Sequence, residues 1–144
     1  MRETIIKNKV GFTGTQCGMT YRQKSSFEKL IKMIYISEFH HGDCVGADTE
    51  AQNIVKKEST AIAIHIHPPK DPSRRAFNKS DYIFEEKEYL ERNHDIVDAA
   101  NVLIATPKTF IEQQRSGTWA TIRYARKMRK SIFIIKPDGA VAAE

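Results

Sequence analysis

The chain has 144 residues, 40% of them hydrophobic and 28% charged, with a net charge of +5. That size and balance fit one globular domain around a single core, residues 1–136, followed by a flexible tail over 137–144. No apolar run approaches the roughly 20 residues of a membrane helix. Met1-Arg2-Glu3-Thr4 lacks the apolar stretch of a signal peptide, so a cytoplasmic location is the expectation. Cys17 and Cys44 stand outside any CxxC pair and read as free thiols rather than a disulfide framework or structural zinc site.

In chain order, Lys9 to Thr13 reads as a strand that stops at Gly14, and Ser25 to Ile36 as an amphipathic helix carrying Phe27, Leu30, Ile31 and Ile34 on one face. Phe39 to Gly42 gives a second strand and Ala47 to Lys57 a second helix. Ala61 to His67 gives a third strand, after which Pro68-Pro69 and the polar Lys70 to Ser80 form an irregular loop. Tyr89 to Ala99 is helical in pattern, Asn101 to Ala105 is a buried strand, residues 115–127 open a basic helix, and Ser131 to Lys136 is a fifth strand. Strands alternating with helices imply right-handed crossovers. The expected fold is α/β, a Rossmann-like three-layer sandwich with a mainly parallel five-stranded sheet in the order 3-2-1-4-5. Strands one and four then meet at the topological switch point, where such sheets bind ligands.

Glycine-bearing loops converge there. Arg115-Ser116-Gly117-Thr118-Trp119 runs from a small-residue turn into a helix, and the unpaired N–H groups at a helix start hold anions. Ser116, Gly117 and Thr118 are the expected phosphate cradle, with Arg115 as counter-charge. Gly14, Thr15 and Gln16 follow strand one; His41, Gly42, Asp43 and Gly46 follow strand two. Asp43 is suited to a ribose diol, whereas Asp48 reads first as a helix cap. Trp119 can stack on a base or pack against the sheet. The basic run Arg123, Arg126, Lys127, Arg129 and Lys130 suits a phosphate ligand, weak nucleic-acid binding or a solvated helix face. In the loop, Arg74, Arg75 and Lys79 are placed to close on an anion or to stay disordered. His40, His41, His65 and His67 gather near the ends of neighbouring strands. Their spacing matches no zinc pattern, so neither a metal nor a cofactor is expected.

Three segments carry a resemblance to a known family: His-Gly-Asp-Cys-Val-Gly-Ala-Asp at 41–48, Tyr-Leu-Glu-Arg-Asn-His-Asp-Ile-Val-Asp-Ala-Ala at 89–100, and Arg-Ser-Gly-Thr-Trp-Ala-Thr-Ile-Arg-Tyr-Ala-Arg-Lys at 115–127. Together they resemble the SLOG superfamily of Rossmann-like domains, which includes the Lonely Guy enzymes, the Smf/DprA DNA-processing proteins and small stand-alone nucleotide binders. The small stand-alone group is the best match. The resemblance implies a nucleotide-type ligand across the glycine loops, a contact from Arg92 and Asn93, and a homodimer. Lonely Guy enzymes carry Pro-Gly-Gly-x-Gly-Thr-x-x-Glu; here Gln113-Gln114 replaces the glycine pair and Thr121 the glutamate. A threonine hydroxyl neither protonates a leaving base nor stabilises oxocarbenium charge. The expected function is therefore binding, by sensing or sequestration, of ADP-ribose or another NAD-derived or cyclic nucleotide signal, as in a sponge against host defence. A glycosidic or phosphoribohydrolase using Asp43 and a nucleic-acid module of the Smf/DprA kind are the alternatives.

Overall fold

The computed structural model describes residues 7–144; the N-terminal segment Met1 to Thr4 lies outside the described residues. Its elements are β1 (Asn8–Gly14), α1 (Tyr21–Met33), β2 (Ile36–His41), α2 (Ala47–Glu58), β3 (Ala63–Ile66), β4 (Tyr82–Ile83), α3 (Tyr89–Ala99), β5 (Val102–Thr106), α4 (Gly117–Lys127), β6 (Ser131–Ile135) and β7 (Val141–Ala143).

Among the described residues the sheet has seven strands rather than five, in the order β4-β3-β2-β1-β5-β6-β7. The five expected strands form its centre. The additions are a two-residue edge strand parallel to β3 and a C-terminal strand antiparallel to β6. Both lack apolar alternation, which is why periodicity misses them. The segment expected as a flexible tail is thus partly β7, and Arg126 grips its last residue, with Nε 2.6 Å from Glu144 Oε1.

α1 begins earlier than apolar spacing predicts because Thr20 and Gln23 form a capping box. Thr20 Oγ1 accepts from the Gln23 N–H at 3.0 Å, and Gln23 Oε1 accepts from the Thr20 N–H at 2.9 Å. The Gln23 amide is buried and also donates to Pro107 O and Ile135 O, tying α1 to the ends of β5 and β6. Ile36, expected as the end of that helix, is the first residue of β2.

Alternation along the strands divides the core. Val10, Phe12, Phe39, Ile64, Ile66 and Ile104 face α1 and α2; Leu103, Ala105, Ile132 and Ile134 face α3 and α4 with Val97, Trp119, Ile122 and Ala125. Phe12, Phe27 and Phe39 meet at centroid distances of 5.4–6.2 Å in the larger core. β1 pairs in parallel with both β2 and β5, so the chain reverses direction across β1 and opens a crevice beyond its carboxyl end. Phe39→Ala empties the centre of the larger core and should cost about 3–5 kcal/mol in urea unfolding, with an unchanged slope.

Candidate functional site

A cavity of about 240 Å³ fills that crevice. Phe12 and Thr13 at the end of β1 form its floor, and Gly14, Thr15 and Gln16 one wall. Gly42, Cys44, Val45 and Asp48 line the second wall, Tyr89, Arg92, Asn93 and Ile96 the third, and Ser116, Gly117 and Thr118 the fourth.

The glycines differ in what they do. A Cβ on Gly14 would lie 2.5 Å from Ala47 Cβ and 2.6 Å from Thr106 Oγ1, so this glycine lets α2 approach the sheet. Gly46 sits outside the lining at φ 91°; a side chain there would strike the carbonyl of Gln16. It joins the first and second loops, aided by the Ala47 N–H donating to Thr15 O at 3.0 Å. A Cβ on Gly42 would strike the Arg92 guanidinium. Gly117 alone among these faces open space, with nothing within 4 Å of an added Cβ.

At the start of α4, Ser116 caps the helix by accepting from the Trp119 N–H at 3.2 Å, and Ala120 N donates to Ser116 O. This leaves the Gly117 and Thr118 N–H groups at the cavity wall. The Thr118 hydroxyl donates to Gly14 O at 3.1 Å and fixes the helix against the first loop.

Arg92 is 5% exposed and is the cation built into the cavity. Its Nη1 donates to Gly42 O at 2.7 Å and His67 O at 3.2 Å, and its Nε to Asn93 Oδ1 at 2.8 Å. Asp48, 7% exposed, lines the cavity beside Gly42 and accepts from the Cys44 N–H at 3.1 Å. Burial pushes the Asp48 carboxyl above its ordinary range, partly countered by His41 and Arg92. Burial likewise raises the Cys44 thiol, keeping it protonated.

Five of the sequence candidates lie outside this lining. Asp43 is fully buried at φ 55°, and its carboxylate is committed elsewhere: Oδ2 accepts from Arg75 Nε at 3.0 Å, and Oδ1 from the Asn78 N–H and Nδ2, each at 2.9 Å. It is a clasp for the 70–80 loop. His41 is also fully buried, held by Gln52 at 2.6 Å and by the Asp43 N–H at 3.0 Å. Trp119 packs in the smaller core and donates to Thr109 Oγ1 at 3.0 Å, so it shapes the helix and not the cavity. Gly46 bridges two loops, and Arg115 is exposed beyond the wall. Thr121 donates to Gly117 O at 2.8 Å within α4.

Asp48, expected first as a helix cap, lines the cavity instead, since the N-cap of α2 is Gly46, without a side-chain cap; Cys44 and Tyr89 were not among the binding candidates. Asp48 was legible as the second acid of the 41–48 loop; Tyr89 lies one helical turn before Arg92, with its ring 5.1 Å beneath the guanidinium. The irregular 70–80 loop is packed against the second glycine loop. It contains a short 3₁₀ turn at Pro72–Arg74 and is bonded to the second glycine loop through Val45 N to Arg74 O and Ala76 N to Asp43 O.

The histidines divide between faces. His41 points to α2, whereas His40, His65 and His67 share the opposite face of β2 and β3 with Glu38, a residue absent from the sequence candidates. Burial, and next the charge of a neighbouring histidine, hold His40 down at about 4 and His67 at about 3.

The crevice at the strand ends and the mostly parallel sheet with helices on both faces define a Rossmann-like α/β protein. No family model matches the chain, and no curated protein matches its sequence. A solved structure with the same fold is the X-ray structure of TM1055, a Northeast Structural Genomics Consortium target. It is 12% identical, with a TM-score of 0.60, and the alignment covers 86% of this chain and 71% of that one. Among the described residues, no helix is long and apolar enough to cross a membrane.

Two predictions follow from these contacts. Asp43→Ala should release the 70–80 loop, accelerating tryptic cleavage after Arg74, Arg75 or Lys79 by about 10-fold or more, as a lost charge-assisted clasp requires. The pH dependence runs through His40 and His67, which face Glu38, His65, Lys9, His41 and Arg92. Their folded values lie below the ordinary 6.5, so their stabilising effect is complete above that pH and is lost as pH falls toward about 4 and 3. Urea unfolding should therefore weaken between those limits by up to about 1.4 kcal/mol per pH unit for each histidine, and His67→Gln should flatten the profile. Asp48 acts oppositely, its raised value favouring the fold only at acid pH.

Proposed function

We propose that this protein binds a nucleotide derivative in the cavity, with a phosphate on the first N–H groups of α4. The observation that carries this reading is the open space at Gly117 beside the unpaired Gly117 and Thr118 N–H groups, at the mouth of a cavity that also holds a buried arginine. The glycine at 117 meets no neighbour in the protein, so the room it leaves is room for a ligand. The resemblance of residues 41–48, 89–100 and 115–127 to SLOG domains points the same way.

The volume narrows the choice. About 240 Å³ lies under the ~300–1,000 Å³ of ordinary small-molecule sites, which favours one ribose phosphate enclosed, with the rest of any larger ligand extending outward past Gln16 and Val45. Asp48 and Asn93 supply acceptors for ribose hydroxyls, and the Arg92 guanidinium lies beside them as a cation. Sequestration of a nucleotide signal by a dimer is the biological role we attach to this binding.

A second reading is favoured by one observation. Asp48 is a buried carboxyl with a raised pKa inside the cavity, the condition in which a carboxylic acid can protonate a leaving base. It replaces Asp43 as the acid of an N-glycosidic hydrolase. Nucleic-acid binding is less favoured because Arg126 pairs with Glu144 and Glu112, and Arg123 with Glu112, which takes two of the five basic residues of that run into ion pairs.

Thermal melting with AMP, ribose 5-phosphate, ADP-ribose and cyclic nucleotides, followed by mass spectrometry of the recovered compound, tests both readings. A ligand at 100 times its Kd should add about 2.7 kcal/mol, or roughly 5–10 °C. Gly117→Asp should abolish that shift while leaving the unliganded melting temperature unchanged. Intact recovery supports binding; a released base lost in Asp48→Asn supports hydrolysis. No shift with any of these compounds would overturn both.

A further inference from the structure

On the sheet face away from α1 and α2, α3 covers β1 and leaves much of β2, β3 and β4 without a helix above them. Parallel register sets His40 of β2 opposite His65 of β3, and their rings stack at a centroid distance of 4.5 Å. Glu38 precedes His40 by two residues on the same strand face. Its Oε1 lies 3.3 Å from His40 Nε2 and 3.2 Å from His65 Nε2.

We propose that Glu38, His40 and His65 form a binding site for a divalent transition-metal ion of the zinc class, separate from the glycine-loop cavity. The one donor atom from each residue lies within 4.8 Å of the others. Ligands at about 2.0–2.1 Å from a tetrahedral zinc stand about 3.3–3.4 Å apart, close to both carboxylate–imidazole separations here. His40 Nε2, the ring atom that faces the carboxylate, is a buried polar atom left without a well-formed hydrogen bond.

The surroundings are those of an oriented ligand set. His40 Nδ1 is paired with His67 Nε2 at 2.9 Å; with the shared proton on His40, the lone pair of its Nε2 is free for a metal. Tyr82 stacks on His65 at 5.3 Å and Phe84 on His67 at 4.2 Å, holding both rings. Lys9 lies 3.5 Å from Glu38 Oε2, which occupies that oxygen and turns Oε1 toward the imidazoles. Two imidazoles and one carboxylate select zinc, cobalt, nickel or copper over magnesium or calcium. Three protein ligands leave a fourth position for water or an exogenous group.

Isothermal titration of chelator-stripped full-length protein with zinc chloride tests the site, and cobalt chloride reports its ligands by absorbance. One equivalent should bind, with a tetrahedral nitrogen–oxygen cobalt spectrum. Glu38→Gln and His65→Ala, both at partly exposed positions, should each weaken binding by more than about 100-fold, and His67→Gln, one step removed, by about 10–100-fold. Circular dichroism of the metal-free variants should match that of the parent, and AMP binding should be unaffected. Failure to bind zinc, equal affinity in parent and both ligand variants, or a thiolate charge-transfer band from cobalt at a cysteine would overturn the proposal. If one ligand variant fails to fold, the other decides.

Discussion

The Arg92 guanidinium is the constraint on which the architecture of the crevice depends. It reaches from α3 across the carboxyl ends of β2 and β3, and donates to carbonyls from both strand ends, Gly42 and His67. A buried cation is costly unless its donors are satisfied and a counter-charge is near. Here the Gly42 and His67 carbonyls and the Asn93 side chain take up three of its donors. The demand propagates outward: residue 42 carries no side chain because the guanidinium occupies that space. Loop, helix and strand ends are held in one arrangement by one side chain.

The clasp at Asp43 extends that order to the surface. A residue at positive φ with a fully buried carboxylate is an unusual use of an acid in a glycine-rich turn. Its three accepted hydrogen bonds convert a long polar loop into a wall behind the second glycine loop. Those bonds come from residues more than thirty positions away in sequence. Binding loops built this way start rigid, and a ligand that enters loses little free energy to ordering them.

Central strands were legible because burial on both faces writes itself as apolar runs such as Val102 to Ala105, and the helices were legible from apolar spacing. The edges were not: Tyr82–Ile83 and Val141–Ala143 are short, exposed, and defined only by the strand each one meets. In the crevice, glycine and hydroxyl positions at 14–16 and 116–118 were readable, because a chain turning at a strand end has few other residues to use. Which of two acids in one octapeptide faces the cavity was not readable. Asp43 and Asp48 are both compatible with a turn, and only the long-range partners Arg75 and Asn78 draw one of them away. The grouping of Glu38 with His40 and His65 was hidden for a similar reason, since two strands separated by a helix share a face only once their register is known.

The edges of the sheet carry a consequence for assembly. Its outermost strands are two and three residues long. Strand-by-strand joining of two chains needs a longer run of free N–H and C=O groups, and short edge strands are a common guard against it. Among the described residues, the sheet edges thus offer little main chain for pairing. The exposed Tyr82, Ile83 and Phe84 project from the β4 end of the molecule, and Phe110 and Ile111 from the loop before α4. Contacts of that kind are specified by shape and chemistry, residue by residue, whereas main-chain pairing is nearly indifferent to sequence. Short, exposed edges of this kind leave the indiscriminate association open to longer unpaired strands without a template.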